Sequence, residues 1–179
     1  MNADPDNDKT GSRELNEARL ASLYEEYYNK IARYIFVRIG DRAEAEDLAG
    51  EVFLKALQSL DSYKERGIPM RVWLFKIAHN LVVDYLRQVA KRKTVPIDTV
   101  QVVTEEDPQT IVETRMELAR VAKALDQLIP AQRQVIELRF FGELTSEEAG
   151  RILNRSSGAV REMQSAAIRQ LRKLLCEES

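Results

Sequence analysis

The chain has 179 residues, with 27 Lys+Arg against 29 Asp+Glu for a formal charge of −2, and 44% of its residues are apolar. That length allows one domain or two small ones, and the composition suits a soluble, helix-rich protein with real cores. No apolar run approaches the roughly 18 residues of a membrane span, and the polar stretch 1–11 does not read as a signal peptide. A single cysteine, Cys176, and a single histidine, His79, leave an internal disulfide, a zinc cluster or a catalytic triad poorly supplied. The expectation is therefore a cytoplasmic, non-enzymatic protein with no cofactor, no metal and no membrane insertion of its own.

Taken in chain order, residues 1–14 are polar and read as a disordered tail. Leu20, Leu23, Tyr27, Ile31, Ile35 and Ile39 then recur at three- and four-residue steps, which predicts an amphipathic helix ended by Gly40-Asp41. Asp41 and Glu44 have capping-box spacing, and the next helix, about 42–58, turns Ala45, Leu48, Ala49, Val52 and Ala56 inward. Glu44, Asp47 and Glu51 fall together on another face. Residues 61–69 read as a loop punctuated by Gly67 and Pro69. A third helix, about 70–90, buries Leu74, Ala78, Val82, Tyr85 and Leu86. At 100° per residue its Trp73, Lys76, Asn80, Asp84, Arg87 and Lys91 share one outward stripe. Cations, an amide and an aromatic on one stripe suit single-stranded nucleic acid, whose phosphates meet the cations and whose bases stack on rings. Trp73 also has a second reading, tucked under the preceding loop as core.

Charge is unevenly distributed. Residues 41–51 hold five acids and one base, whereas residues 64–93 hold eight bases and two acids. One small domain thus offers an acidic and a basic surface, which predicts two partners of opposite charge. Residues 94–114 hold five acids, no base, and Pro96 and Pro108, and read as a flexible acidic linker.

Beyond the linker, a helix of about 111–128 ends at Leu128-Ile129-Pro130, and another, about 131–141, stops at Gly142. Thr145-Ser146-Glu147-Glu148 is a capping box for a short helix to Leu153. After the turn Asn154-Arg155-Ser156, a long helix runs to about Leu175, so that the pair forms a helix-turn-helix pattern. Val160, Met163, Ala167, Leu171 and Leu174 line one face of it, and Arg161, Ser165, Arg169 and Arg172 lie roughly opposite, as on a helix that enters a major groove. The fold class is all-α: two small helical domains, 15–93 and 115–176, joined by the linker.

These residues carry a resemblance. Ala45-Glu46-Asp47-Leu48-Ala49-Gly50-Glu51-Val52-Phe53, followed by Trp73-Leu74-Phe75-Lys76-Ile77-Ala78-His79-Asn80 through Arg87, resembles region 2 of the extracytoplasmic-function sigma factors. Leu128-Ile129-Pro130, Arg133-Gln134-Val135-Ile136 and Ser157-Gly158-Ala159-Val160-Arg161 are similar to their region 4. The resemblance implies a factor that binds core RNA polymerase, recognises the −10 and −35 elements of promoter DNA and promotes melting. It is commonly held by an anti-sigma factor. By position it implies polymerase contacts at Asp47, Glu51 and Phe53, with core packing as the other reading of Phe53. It implies −10 contacts at Trp73, Lys76, Asn80, Arg87 and Lys91, where Asn80 reads a flipped base, and −35 contacts at Arg161, Gln164, Ser165 and Arg169. Gly50 stands where the family often has Gln, a departure at one expected polymerase contact; Glu162, Met163 and Ala166 stand where many members carry Ser or Arg, so the preferred sequence is expected to depart from the commonest one.

Two other classes compete. A stand-alone regulator would use the C-terminal reader alone and leaves the acidic and basic faces of the first domain without a purpose. An enzyme built on His79, Asn80 and Asp84 lacks a second histidine, a usable cysteine and a phosphate loop.

Overall fold

A computed structural model describes residues 5–63, 67–92 and 120–177 of the chain. The acidic linker expected at 94–114 lies outside the described residues. Every described element is helical: α1 (Pro5–Ile39), α2 (Arg42–Gln58), a short 3₁₀ turn (Leu60–Ser62), α3 (Met70–Arg92), α4 (120–126), α5 (Pro130–Ile136), a π turn (Glu137–Phe141), α6 (Ser146–Leu153) and α7 (Ser157–Glu177).

α1 starts earlier than its apolar stripe predicts. It is helical from Pro5, so residues 5–14 extend the helix rather than forming a disordered tail. Arg13 fastens this extension by pairing with Glu17 at 2.9 Å and with Asp61 of the 3₁₀ turn at 2.6 Å. At the other end Gly40 takes φ +77°, a left-handed conformation that glycine adopts without strain, and the chain reverses. Asp41 then caps α2 by accepting the Glu44 amide at 3.0 Å.

Tyr27, Ile31, Tyr34 and Ile35 of α1, the inward row of α2, and Leu74, Phe75, Ala78 and Val82 of α3 are all buried. This core does not stop at the first three helices. Val135, Leu138, Leu144, Ala149, Ile152 and Val160 from the second half belong to the same continuous cluster. A smaller cluster of Leu125, Leu128, Ile136 and Ala167 packs against Val37 of α1. The two helical groups therefore lie face to face, with the π turn against α1 and α6 against α3.

The helix expected at 131–141 divides into α5 and the π turn. Gly142 ends it, but with an ordinary φ of −80°; the left-handed residue is the next one, Glu143, at φ 56°. Gly142 is small because of crowding. A Cβ there would lie 2.7 Å from the Leu138 carbonyl oxygen and 3.0 Å from the Phe75 ring, across the junction between the two groups.

Candidate nucleic-acid and polymerase interfaces

The acidic face of α2 forms as its periodicity predicts. Asp47 and Glu51 are exposed, and Glu51 pairs with Lys55 one turn on, at 3.4 Å. Leu54 and Leu57 are also exposed on this helix, at 53% and 43%, a larger apolar surface than an isolated solvated helix needs. Phe53 is placed differently. It is 7% exposed and packs edge-on against Tyr24 at 4.9 Å, with Tyr28 beyond, so in this arrangement its ring is core.

The stripe on α3 is divided three ways. Trp73 is half-buried, its ring 5.0 Å from that of Tyr63, which is the loop-covered placement rather than an open platform. Tyr63 donates to the Ile68 carbonyl at 2.9 Å and so pins the loop over the start of α3. Lys76 turns toward the second half and donates to the carbonyl oxygen of Ile152 at 2.7 Å. One turn earlier Arg71 clasps Glu148 of α6, through Nε at 2.7 Å and Nη2 at 2.5 Å. Asn80 is exposed and lines an open groove of about 430 Å³ between α2 and α3, with Lys55, Gln58, Ser59, Ile77, Leu81 and Asp84. Arg87 and Lys91 are exposed, and Arg87 meets Asp84 at 3.2 Å.

His79, beside Asn80, faces the other way. Its Nδ1 is 3.2 Å from the Tyr34 hydroxyl and 3.3 Å from Arg38. Burial, then the charges of Arg38 and Lys76, bring its pKa down from 6.5 to about 4, so the ring is neutral near pH 7. Tyr34 is fully buried and its phenol is pushed up to about 12 by that burial. Among the described residues no cluster of His, Cys, Asp and Glu could hold a metal, and no helix is long and apolar enough to cross a membrane.

In the second half the helix-turn-helix is built from local chemistry. Thr145 and Glu148 form the reciprocal capping box: the Glu148 amide donates to Thr145 Oγ1 at 3.2 Å, and the Thr145 amide to Glu148 Oε2 at 2.9 Å. Asn154, at φ 54°, closes α6 in the left-handed conformation that asparagine tolerates. Gly150 lets the chain fold back. A Cβ there would lie 2.5 Å from the Arg155 carbonyl oxygen. Ser156 Oγ then accepts the Ala159 amide at 3.1 Å and starts α7. Arg161, Ser165 and Arg169 are exposed along α7, whereas Gln164 is half-buried and accepts from Arg139 Nε at 2.8 Å. Gln164 is thus held in place from behind, and the open stripe is the other three.

The model for sigma-70 region 2 matches residues 23–92, and that for sigma-70 region 4 matches residues 124–173. The chain belongs to the extracytoplasmic-function sigma factors. It is 33% identical over 161 residues to the ECF RNA polymerase sigma factor BldN of Streptomyces coelicolor, covering 88% of this chain and 60% of that one. It therefore spans somewhat less than two thirds of that relative. It is 28% identical over 168 residues to the ECF sigma factor SigL of Mycobacterium tuberculosis, covering 94% of this chain and 95% of that one. In fold it is similar to CnrH in complex with the cytosolic domain of CnrY, with a TM-score of 0.70 and 24% identity over 96% of each chain. It is also similar to the sigma factor RpoE in complex with the anti-sigma factor NepR from Bartonella quintana. There the TM-score is 0.68 at 22% identity, covering 87% of this chain and 95% of that one. Sigma factors are transcription-initiation factors and not enzymes, and they bind core RNA polymerase and promoter DNA.

Arg38, Arg71 and Glu137 join the two halves of the chain. Arg71 belongs to the basic block of residues 64–93 but lies off the outward stripe of α3. The pairs Arg38–Glu137 and Arg71–Glu148 join opposite halves of the chain, so no local spacing marks them.

Proposed function

We propose that this sigma factor acts in the cytoplasm, where it docks on core polymerase through the α2 face of Asp47 and Glu51. It reads −10 DNA with α3 and −35 DNA with Arg161, Ser165 and Arg169. The observation that carries the reading is the pairing on one small helical unit of an exposed acidic-apolar face with a basic, groove-bearing face. A carboxylate face with Leu54 and Leu57 suits a protein partner with basic residues around an apolar patch. Lys76, Arg87 and Lys91 suit phosphates, and Asn80 in its groove can hydrogen-bond the edge of an unstacked base, whose extrusion costs a few kcal/mol that the groove must offset. Regulation by an anti-sigma factor is part of the proposal, in line with the complex in which RpoE was solved.

The docking assignment is tested by Asp47→Lys with Glu51→Lys. Both side chains are exposed, so helix content by circular dichroism should be unchanged, while co-purification with core polymerase should fall at least about tenfold, as reversal of complementary interface charges demands. Unimpaired co-purification would refute this face as the docking site.

A further inference from the structure

We propose that Arg139 fixes the amide of Gln164 with its N–H groups outward, so that Gln164 selects a −35 base carrying a major-groove acceptor. Arg139 acts through Gln164 as a positioning residue. The inference rests on the reading of α7 as the −35 helix, and it adds to the open stripe a fourth reader together with the side chain that orients it.

Arg139 stands half-buried on the π turn, and its Nε donates to Gln164 Oε1 at 2.8 Å. Its Nη1 donates to the carbonyl of Leu144, the residue before the Thr145 cap of α6. A guanidinium has donors only, so the amide atom that faces it is the oxygen, and turning the amide over would set N–H against N–H. The bond to Leu144 ties the guanidinium to main chain, so the orientation it imposes comes from the π turn and the cap rather than from another mobile side chain. Two N–H groups remain on Gln164 Nε2. Among the described residues nothing accepts from them, yet the atom is not sealed from solvent.

Placement favours a base over a phosphate. Gln164 follows exposed Arg161 by three residues, about 60° round the helix, and so sits at the edge of the open stripe. It lies in the N-terminal half of α7 (Ser157–Glu177), the part of a recognition helix that meets base edges. A glutamine free at both ends pairs with adenine, accepting from N6 and donating to N7. With its oxygen turned to Arg139, Gln164 is left to donate. That matches O6 and N7 of guanine or O4 of thymine, whereas the N4 amino group of cytosine would meet it as donor against donor.

The test uses holoenzyme assembled from core polymerase and the full chain. Its template is a promoter located by mapping a start site, with the −35 segment randomised and the transcribed members sequenced. At one position the wild type should favour guanine or thymine over cytosine by about tenfold, as one good base contact gives. Arg139→Met keeps an apolar stem but removes the donors. It should level the preference at that position and leave the others within about twofold, as separated sites do. Gln164→Glu keeps an oxygen for Arg139 and replaces the outward amino group by an acceptor, so it should turn the same position toward cytosine. This second variant decides the matter if Arg139→Met does not fold. A wild type indifferent to cytosine at every −35 position, or a Gln164→Glu chain with an unchanged profile, would overturn the inference. So would a loss shared equally by all sequences, which marks a phosphate contact or a weakened fold. Arg161→Ala separates the claim from the reading beneath it. If Arg161→Ala relaxes the −35 preference and Gln164→Glu does not, α7 remains the reader and the Gln164 assignment falls. If the wild type has no −35 preference at all, both fall.

Discussion

At His79 the protein holds a half-buried imidazole against two cations, and the consequence is a defined pH dependence. The folded pKa of about 4 lies below the ordinary 6.5, because burial and the nearby Arg38 and Lys76 disfavour the imidazolium. Unfolded chain therefore binds the proton more readily, and His79 withdraws stability as pH falls from about 6.5 to about 4, contributing nothing above that window. Two carboxylates at the same junction are shifted in opposite directions. Glu143 is held down by hydrogen bonds from Lys30 and Arg33, whereas burial pushes Glu137 up and Arg38 and Arg133 pull it back. The contribution of His79 is isolated by comparing urea midpoints of the wild type and His79→Gln at pH 7 and pH 5. The difference between the two proteins should change in favour of the variant at pH 5, and a pH-independent difference would show that the ring titrates normally. Asn80, its neighbour, makes the opposite prediction. It is exposed on the groove, so Asn80→Ala should leave stability within about 0.5 kcal/mol, as surface changes do. It should slow promoter melting, read as permanganate reactivity of −10 thymines, and the defect should shrink on a template already mismatched there. Normal melting on the duplex would leave Asn80 a surface amide.

Among the elements, the helix-turn-helix depends most on one small residue. Gly150→Ala must push the Arg155 carbonyl away from 2.5 Å, and that carbonyl is main chain in the turn between α6 and α7. The expected cost is about 1–3 kcal/mol, as for overpacking, seen as a lower urea midpoint together with weaker −35 binding. An unchanged midpoint would mean the turn yields freely. Several elements were legible because their causes are local. The stripes of α1 and α2, the Asp41 cap and the Thr145–Glu148 box are written within a few residues of where they act. The π turn was not, because its extra residue per turn leaves the apolar spacing around Leu138 and Phe141 close to that of an ordinary helix. The first turns of α1 were not legible either. Their apolar residues are few, and one anchor, Asp61, comes from a loop about 50 residues away.

For the whole molecule, the sequence indicated two helical blocks and their order but carried no sign that the blocks share a core. Val135, Leu138 and Ile152 are ordinary inward residues by their periodicity, and only the tertiary structure shows that they face α1 and α3 as well as their own group. The same holds for the candidate sites. Asp47, Glu51, Asn80, Arg161 and Arg169 could be picked from helical faces, whereas the diversion of Lys76 to Ile152 and of Trp73 to Tyr63 depends on contacts across the fold. The most direct test of the account is run-off transcription by core RNA polymerase over genomic fragments, with and without the purified full chain, mapping the 5′ ends. The account predicts discrete start sites that appear only with the protein and share sequence elements upstream near −10 and −35. Transcripts no different from those of core polymerase alone would contradict it.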